Sequence, residues 1–542
     1  MTSGSNSSIV FIMKWFALIR CCFLCLLASC STGATTELSA SFTYSPASPV
    51  VGQTVQFTDT STGSPTSWNW AFGDGAADTE ENPSHTYTSA ASYTVTLTVG
   101  NSAGSDSTTR SVVVLPGTPP TTSFPLKVSS NSRYLVTQSD EPFLMVADSP
   151  QGGMVCLSVS DASYYFANRA SYGFNTAWIN LVGGTTFGGR SNFSTYDGIV
   201  PFTTAGDYST PNAAYFARVD AILNAAEANG ITVWLDPAEC IDSMSNMRAN
   251  GVTKCTNFGR YLGNRYKNFK NIIWACGNDF QTWSDPADDA VVLAIANGIK
   301  ATDTNHLHTV MLDYSISSST DDVRWNSVID INSAYTYYPT YAEVVTDYNL
   351  SPARPVVMCE SDYEFERGSD AERLRRMAYW TYLAGGCGYI YGSGYVWPFA
   401  SGWKTNLDTV GAIELRYCKN LLSSKAWYSL VPDQAHTLVT SGYGTFSAGG
   451  TEHTSISAND YVTAALTPEG TLALVYVPSA RTITVDMTEF SGSVIARWYD
   501  PTAGTYQSIV GSPFPNAGFH VFSTPGTHSD GASDWVLVLE KQ

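Results

Sequence analysis

From Pro125 to about Lys425, eight short apolar runs alternate with longer stretches of helical period, and few folds accommodate such a pattern. The runs are Phe143 to Asp148, Asn175 to Leu181, Thr232 to Asp236, Asn271 to Cys276, Thr309 to Asp313, Val328 to Tyr335, Pro355 to Glu360 and Gly388 to Gly392. Between them, Pro211 to Asn229 opens on proline and closes at Gly230, while Thr256 to Tyr266, Ala287 to Ala301 and Asp370 to Ala384 repeat the helical period. Eight such units predict a (β/α)8 TIM barrel over 125–425, whose chemistry gathers at the carboxyl ends of its strands.

The flanks have a different texture. Residues 38–115 alternate apolar and polar residues in short bursts, such as Thr54 to Phe57 and Tyr93 to Val99, separated by Gly, Ser and Asn turns; this predicts a small β-sandwich. Pro116, Pro119 and Pro120 make 116–124 a stiff linker. Past Trp427 the helical period disappears and short strands return, as in Leu472 to Val477 and Trp535 to Leu539, so 426–542 is expected to be an antiparallel β-sandwich. No compact cluster of His, Cys and carboxylates stands out there, which favours a structural or ligand-gripping role over catalysis.

Residues 1–30 read as a targeting segment, with Lys14 and Arg20 in or beside an apolar run. Leu27-Ala28-Ser29-Cys30 resembles a bacterial lipobox. Cys30 would then carry the lipid anchor to a membrane, residues 31–37 would form a tether, and the protein would be an exported outer-membrane or cell-surface lipoprotein. A plain secretory signal, giving a secreted or periplasmic protein, is the alternative. The uncharged stretch after Arg20 is about half of the ~20 residues a membrane-spanning helix needs. A net charge of −19 repels phosphate backbones, so nucleic acid is not an expected partner, whereas a neutral sugar polymer meets no such penalty. Seven of the 11 cysteines lie beyond Cys30 and show no metal-ligand spacing. Neither a metal nor a cofactor is expected, and Cys240 with Cys255, across a polar loop, is the one plausible disulfide.

Chemistry enters at two strand ends. Asn271 to Cys276 runs into Gly277-Asn278-Asp279, and Pro355 to Cys359 ends on Glu360, so two carboxylates converge on the barrel mouth. Glycosidic cleavage needs this pairing: one carboxyl protonates the departing oxygen while the other, ionised, attacks or stabilises the cationic sugar centre. One carboxylate at a strand end can simply cap the next helix. Two of them, on strands four and seven, share no such structural reason. Asn180, Asp236 and Tyr335, at the ends of strands two, three and six, are placed to bind substrate or orient the carboxylates, as is Asn278. Asp148, ending strand one, either holds sugar hydroxyls or caps its own loop. Trp397 and Trp403, in a glycine-rich loop after strand eight, could stack on a sugar face or pack that loop.

The run Trp68 to Gly75, with Asn82 to Tyr87, resembles a PKD domain over its whole length. Arg354 to Glu364, followed by Arg376 to Trp380, resembles the apiosidase-like glycoside hydrolases, and the likeness extends through Trp274 to Asp279, Gly385 to Gly392 with Trp397, Leu430 to Asp433 and Ser533 to Leu537. That resemblance, from about Phe124 to Gln542, implies Asp279 as acid/base and Glu360 as nucleophile of a retaining enzyme acting on a furanosidic or related bond of a branched plant-type glycan such as pectic side chains. The terminal module looks like one sometimes labelled collagen-binding. After strand one the family shows Gly-Asp-Thr and then Trp, whereas this chain has Ala147-Asp148-Ser149-Pro150-Gln151, keeping the aspartate and losing the aromatic.

A non-catalytic cell-surface glycan-binding protein or adhesin is the competing reading, but a barrel that had lost its chemistry would be free to lose Asp279 or Glu360, and both are present. A protease or esterase lacks support, since no Gly-x-Ser-x-Gly elbow lies in the barrel region and no His-Glu-x-x-His helix occurs. The sequence sets no oligomeric state.

Overall fold

The computed structural model describes residues 37–45, 49, 54–87, 91–114, 124–281 and 285–542. The targeting segment 1–30 with Cys30, the tether except Glu37 and the proline-rich linker except Phe124 lie outside them. Residues 42–114 carry one sheet of three strands and one of four. Around the Trp68 to Gly75 motif the rings of Phe42 and Trp70 meet edge to face at 5.0 Å and those of Phe57 and Phe72 lie 5.2 Å apart.

Eight parallel strands form the central barrel: β1 (Met145–Asp148), β2 (Thr176–Asn180), β3 (Thr232–Asp236), β4 (Ile272–Cys276), β5 (His308–Val310), β6 (Asn332–Thr336), β7 (Val356–Glu360) and β8 (Gly388–Tyr391). They neighbour one another in the order β5-β4-β3-β2-β1-β8-β7-β6, so the sheet curls round until β5 and β6 face across a seam. No strand ladder joins those two strands among the described residues; the Asp330 and Ile331 N–H groups donate to the His308 carbonyl at 2.8 and 3.2 Å, and hydroxyls add to the joint. Thr309 Oγ1 lies 2.6 Å from Ser333 Oγ and donates to the Ile331 carbonyl at 3.0 Å, and Ser319 Oγ lies 3.2 Å from Thr309. An inserted strand, Ile316–Ser318, pairs antiparallel with β6.

Side-chain alternation sorts the strands into two cores. Met145, Ala147, Trp178, Trp234, Ile273, Ala275, Tyr335, Val357, Cys359 and Ile390 fill the interior, while Ala177, Ile179, Val233, Leu235, Ile272 and Trp274 pack outward beneath the helices. Every residue of these strands is buried, which is why they read as continuous apolar runs. Strand six begins later than its apolar run because Val323–Ser327 forms a 3-10 turn closed by Val328.

The expected Cys240 to Cys255 disulfide is corrected. Both cysteines are free and buried in one helix, Cys240–Tyr266, which breaks at Gly251 (φ 66°). Their thiols instead face the carbonyls of Ala238 (3.0 Å) and Met247 (3.5 Å), and burial pushes the Cys255 thiol up to about 11. The intervening polar residues cover a helix surface and form no loop.

The carboxy-terminal region holds a six-stranded and a three-stranded antiparallel sheet. It packs on the helix Ala371–Leu383, in which every residue from Arg373 to Leu383 is buried. Arg375, with 1 % of its side chain exposed, donates to Asp534 at 2.8 and 3.2 Å and to Glu414 at 2.5 Å. Arg376 reaches the carbonyls of Ser457 (2.7 Å), Asn459 (2.8 Å) and Pro478 (2.9 Å), and Tyr379 stacks on Tyr476 at 4.9 Å. Buried guanidinium groups with carboxylate and carbonyl partners make this a fixed interface.

Candidate active site

Local backbone geometry delivers both carboxylates. Beyond β4, Gly277 turns through φ 81° and Asp279 itself takes φ 53°, a left-handed conformation that non-glycine residues adopt at some energetic cost and that clusters at functional sites. On β7, strict alternation from the interior residues Val357 and Cys359 would send Glu360 outward. A register shift opposite Ala334 and Tyr335 instead sets Glu360 beside the interior residue Tyr335.

Tyr335 is the hinge of the arrangement. Its phenol donates to Asp279 Oδ1 at 2.8 Å, and the same oxygen lies 3.4 Å from Glu360 Oε1. Two oxygens sharing one neighbour at those distances are at most about 6.2 Å apart, close enough for both carboxyls to act on one sugar centre. Tyr337 donates to Glu360 Oε1 at 2.7 Å. On the other side Asn278 Nδ2 donates to Gln151 Oε1 (2.9 Å), and Gln151 Nε2 donates to the Tyr363 phenol (3.1 Å), which in turn hydrogen-bonds Glu360. Gly392 makes room for that phenol: a Cβ there would stand 2.2 Å from the Tyr363 ring.

Burial pushes both carboxyls above the usual range, and the charge of Asp279 raises Glu360 further; the Tyr337 and Tyr363 phenols oppose this by favouring the Glu360 anion. Around Asp279 the Tyr335 phenol and the Arg367 charge pull down while Asp313 pushes up. The pair therefore holds on to one proton over a pH range where isolated carboxyls would have lost both.

Asn180 and Asp236 sit side by side in register at the mouth ends of β2 and β3. Both polar atoms of the Asn180 amide, Asp236 Oδ2 and the Trp178 indole N–H are buried with no hydrogen-bond partner among the described residues. Asp236 Oδ1 accepts from the Ala238 amide at 2.8 Å, and burial pushes the carboxyl up to about 8. Such orphaned polar groups call for a partner from outside the protein.

Asp148 is a correction. Alternation turns it away from the interior, where Oδ2 accepts from the Tyr165 phenol (2.6 Å) and pairs with Arg169 (3.4 Å) while Oδ1 takes the Ser149 amide (2.7 Å). With no exposed surface and its oxygens engaged, it anchors β1 to the helix Val159–Ser171 and holds no sugar. Trp397 stays at the rim, half-buried, donating to Glu366 Oε1 at 2.6 Å. Trp403 packs edge to face on Phe399 (5.1 Å) and near Tyr165, serving the loop.

Several site residues carried no advance signal. Tyr337 and Tyr363 lie one and three residues beyond strand ends, and Gln151 stands in a loop that reads only as a departure from the family pattern. His453 was hidden differently. It belongs to the carboxy-terminal region, yet its ring lies 4.7 Å from that of Tyr337.

The comparisons agree with this architecture. Residues 33–115 match the model of the PKD domain and residues 452–540 that of the "Putative collagen-binding domain of a collagenase". One curated relative, collagenase ColA of Bacillus cereus, is 39% identical over 80 residues, 14% of this chain, and the chain spans only 8% of that relative's length. Among solved structures, one described as a glycoside hydrolase superposes with a TM-score of 0.66 at 22% identity, covering 78% of this chain and 98% of the other. A glycoside hydrolase family 5 protein from Bacteroides vulgatus gives 0.65 at 22% identity, covering 77% and 93%. These two share the fold. The model described as "Apiosidase-like, catalytic domain" matches residues 129–429, more than half of the chain, and the chain accordingly belongs to the apiosidase-like family.

Proposed function

We propose that the barrel hydrolyses a furanosidic or related bond in a branched, plant-type polysaccharide such as a pectic side chain, with retention of configuration. The observation that carries the mechanism is the single Tyr335 phenol touching both carboxylates, which limits their nearest oxygens to about 6.2 Å. Glu360 receives the Tyr337 and Tyr363 phenols, donors suited to an anion, so the retained proton sits on Asp279. With Asp279 protonated, its charge no longer adds to the burial that raises Glu360, and the two phenols favour the Glu360 anion as nucleophile.

Asp279 gives its proton to the departing glycosidic oxygen as a Glu360 oxygen bonds the anomeric carbon and the old C–O bond breaks. A water then attacks that carbon, passes a proton to Asp279 and releases Glu360. Asn180, Asp236 and the Trp178 N–H supply hydrogen bonds to sugar hydroxyls, which would satisfy their buried orphan atoms. Asn278 acts through Gln151 on Tyr363, and Trp397 offers a ring at the rim. Export and anchoring through Cys30 would put this chemistry where polysaccharides are met.

The test is a panel of pectic and arabinose-containing glycans incubated with purified protein, the released sugars read by chromatography, alongside Glu360→Gln. Release of sugar by wild type and none by the variant is expected. No release from any branched plant glycan, or equal release by the variant, rejects the reading.

A further inference from the structure

The loop ahead of the short helix Thr454–Ala458 brings a residue of the carboxy-terminal region to the barrel mouth. His453 stands at φ 65° and ψ −55°, the strained centre of a γ-turn closed by the Thr454 N–H on the Glu452 carbonyl at 2.7 Å, which a histidine adopts only under constraint from its surroundings. Those surroundings are the barrel. Its backbone N–H donates to the Tyr337 carbonyl at 2.8 Å, and its imidazole lies against the Tyr337 ring with centroids 4.7 Å apart. Nδ1 is hydrogen-bonded to Asp362, a carboxylate with 1 % of its side chain exposed and itself held by Arg373 at 2.7 Å. With the Nδ1 proton given to Asp362, Nε2 is left as acceptor for the Arg367 guanidinium, whose carbon lies 5.2 Å from the centre of the Tyr337 ring. The neighbouring Glu452 adds a further tie, accepting from the Tyr314 phenol at 3.3 Å, and the Tyr314 ring stands 5.7 Å from Tyr337.

Tyr337 is thus gripped at its carbonyl and on its ring by groups that converge on His453, while its phenol donates to Glu360 at 2.7 Å. We propose that His453 is a positioning residue for glycosidic cleavage: it clamps Tyr337 so that the phenol fixes the attacking oxygen of Glu360, and the carboxy-terminal module thereby completes the active site. The proposal rests on Glu360 being the nucleophile. It also gives that module a part in turnover beyond gripping a polymer.

A double-mutant cycle on the full chain tests it, using whichever glycan the panel identifies as substrate. His453→Gly suits the positive φ and His453→Asn keeps a short polar side chain there, and thermal melting confirms which of them is folded. Either should lower kcat by about 10- to 100-fold with KM nearly unchanged, the size of loss that a slightly misplaced reacting group produces. Added to Tyr337→Phe, the same change should cause no further loss, because its route to Glu360 is already cut; a merely structural role would multiply the two losses. Multiplied losses, a rise in KM alone, or wild-type kcat in a folded variant overturns the proposal while Glu360→Gln remains inactive. An active Glu360→Gln would instead overturn the nucleophile assignment and the clamp with it.

Discussion

Removing the two carboxylates one at a time should produce unequal damage whose pattern depends on the leaving group. In Asp279→Asn the proton donor is gone but the attacking oxygen of Glu360 and its phenol donors remain. General-acid help contributes about 10²–10⁴-fold, and it matters only while the departing oxygen needs a proton. The loss should therefore be about 10²–10⁴-fold on the natural glycan and shrink to within about tenfold on an aryl glycoside of the same sugar with a strongly acidic phenol. Glu360→Gln deletes the nucleophile, so every leaving group should fail alike. The Tyr335 phenol bridges the two carboxyls over a short span, which favours direct attack by Glu360, so the sugar first released should keep its anomeric configuration. Initial rates across a series of aryl glycosides, with NMR of the first-formed anomer, provide the assay. An inverted product, or rescue of Glu360→Gln in place of Asp279→Asn by good leaving groups, would refute the assignment of roles.

Three further outcomes are expected. Arg375→Met leaves Asp534 and Glu414 without their buried cation and should lower unfolding free energy by about 3–5 kcal/mol in a urea titration; a change below about 1 kcal/mol would mean that the ion pairs add little beyond what the packing supplies. Burial raises the folded-state pKa values of Asp236 and Glu239 to about 8, above their unfolded values, so their contribution to stability is complete below about pH 4 and is lost as pH rises towards 8. The melting temperature of Asp236→Asn relative to wild type should accordingly climb between those limits, and a relative fall would contradict the burial argument. Mass spectrometry of the mature protein should find its amino terminus at a lipid-modified Cys30, which an unmodified terminus further along the chain would exclude.

Strand existence was far easier to read than strand edges. Thr232–Asp236 is an apolar run bounded by turn signals on both sides, and its limits match those expected. The run from Val328 failed at its start because Val328 is apolar enough for a strand yet closes a 3-10 turn, two states that hydrophobicity alone does not separate. The segment around Gly251 misled in the opposite direction. The polar stretch between Cys240 and Cys255 suggested a loop, whereas tertiary packing continues the helix on either side of Gly251, carrying both cysteines into the core. Asp148 shows the same limit: a carboxylate at a strand end has two faces to choose from, and only alternation counted through Met145 and Ala147 decides that it meets Arg169.

Order along the chain determined a good deal unaided. Eight apolar runs separated by helical period specify a barrel because each run must be covered on both faces, and ending two of them in Asp279 and Glu360 puts two acids at one mouth whatever the details. What only the tertiary structure decided is everything that depends on register and on contacts between distant segments. The shift between β6 and β7 turns Glu360 inward beside Tyr335, Gln151 links Asn278 to Tyr363, and His453 comes to rest on Tyr337 from 116 residues further along the chain. Periodicity reports which side chains share a face of one element. It carries no information about which elements meet, because that is fixed by the packing of whole surfaces against one another, and the environment that tunes the two carboxylates is made of such meetings.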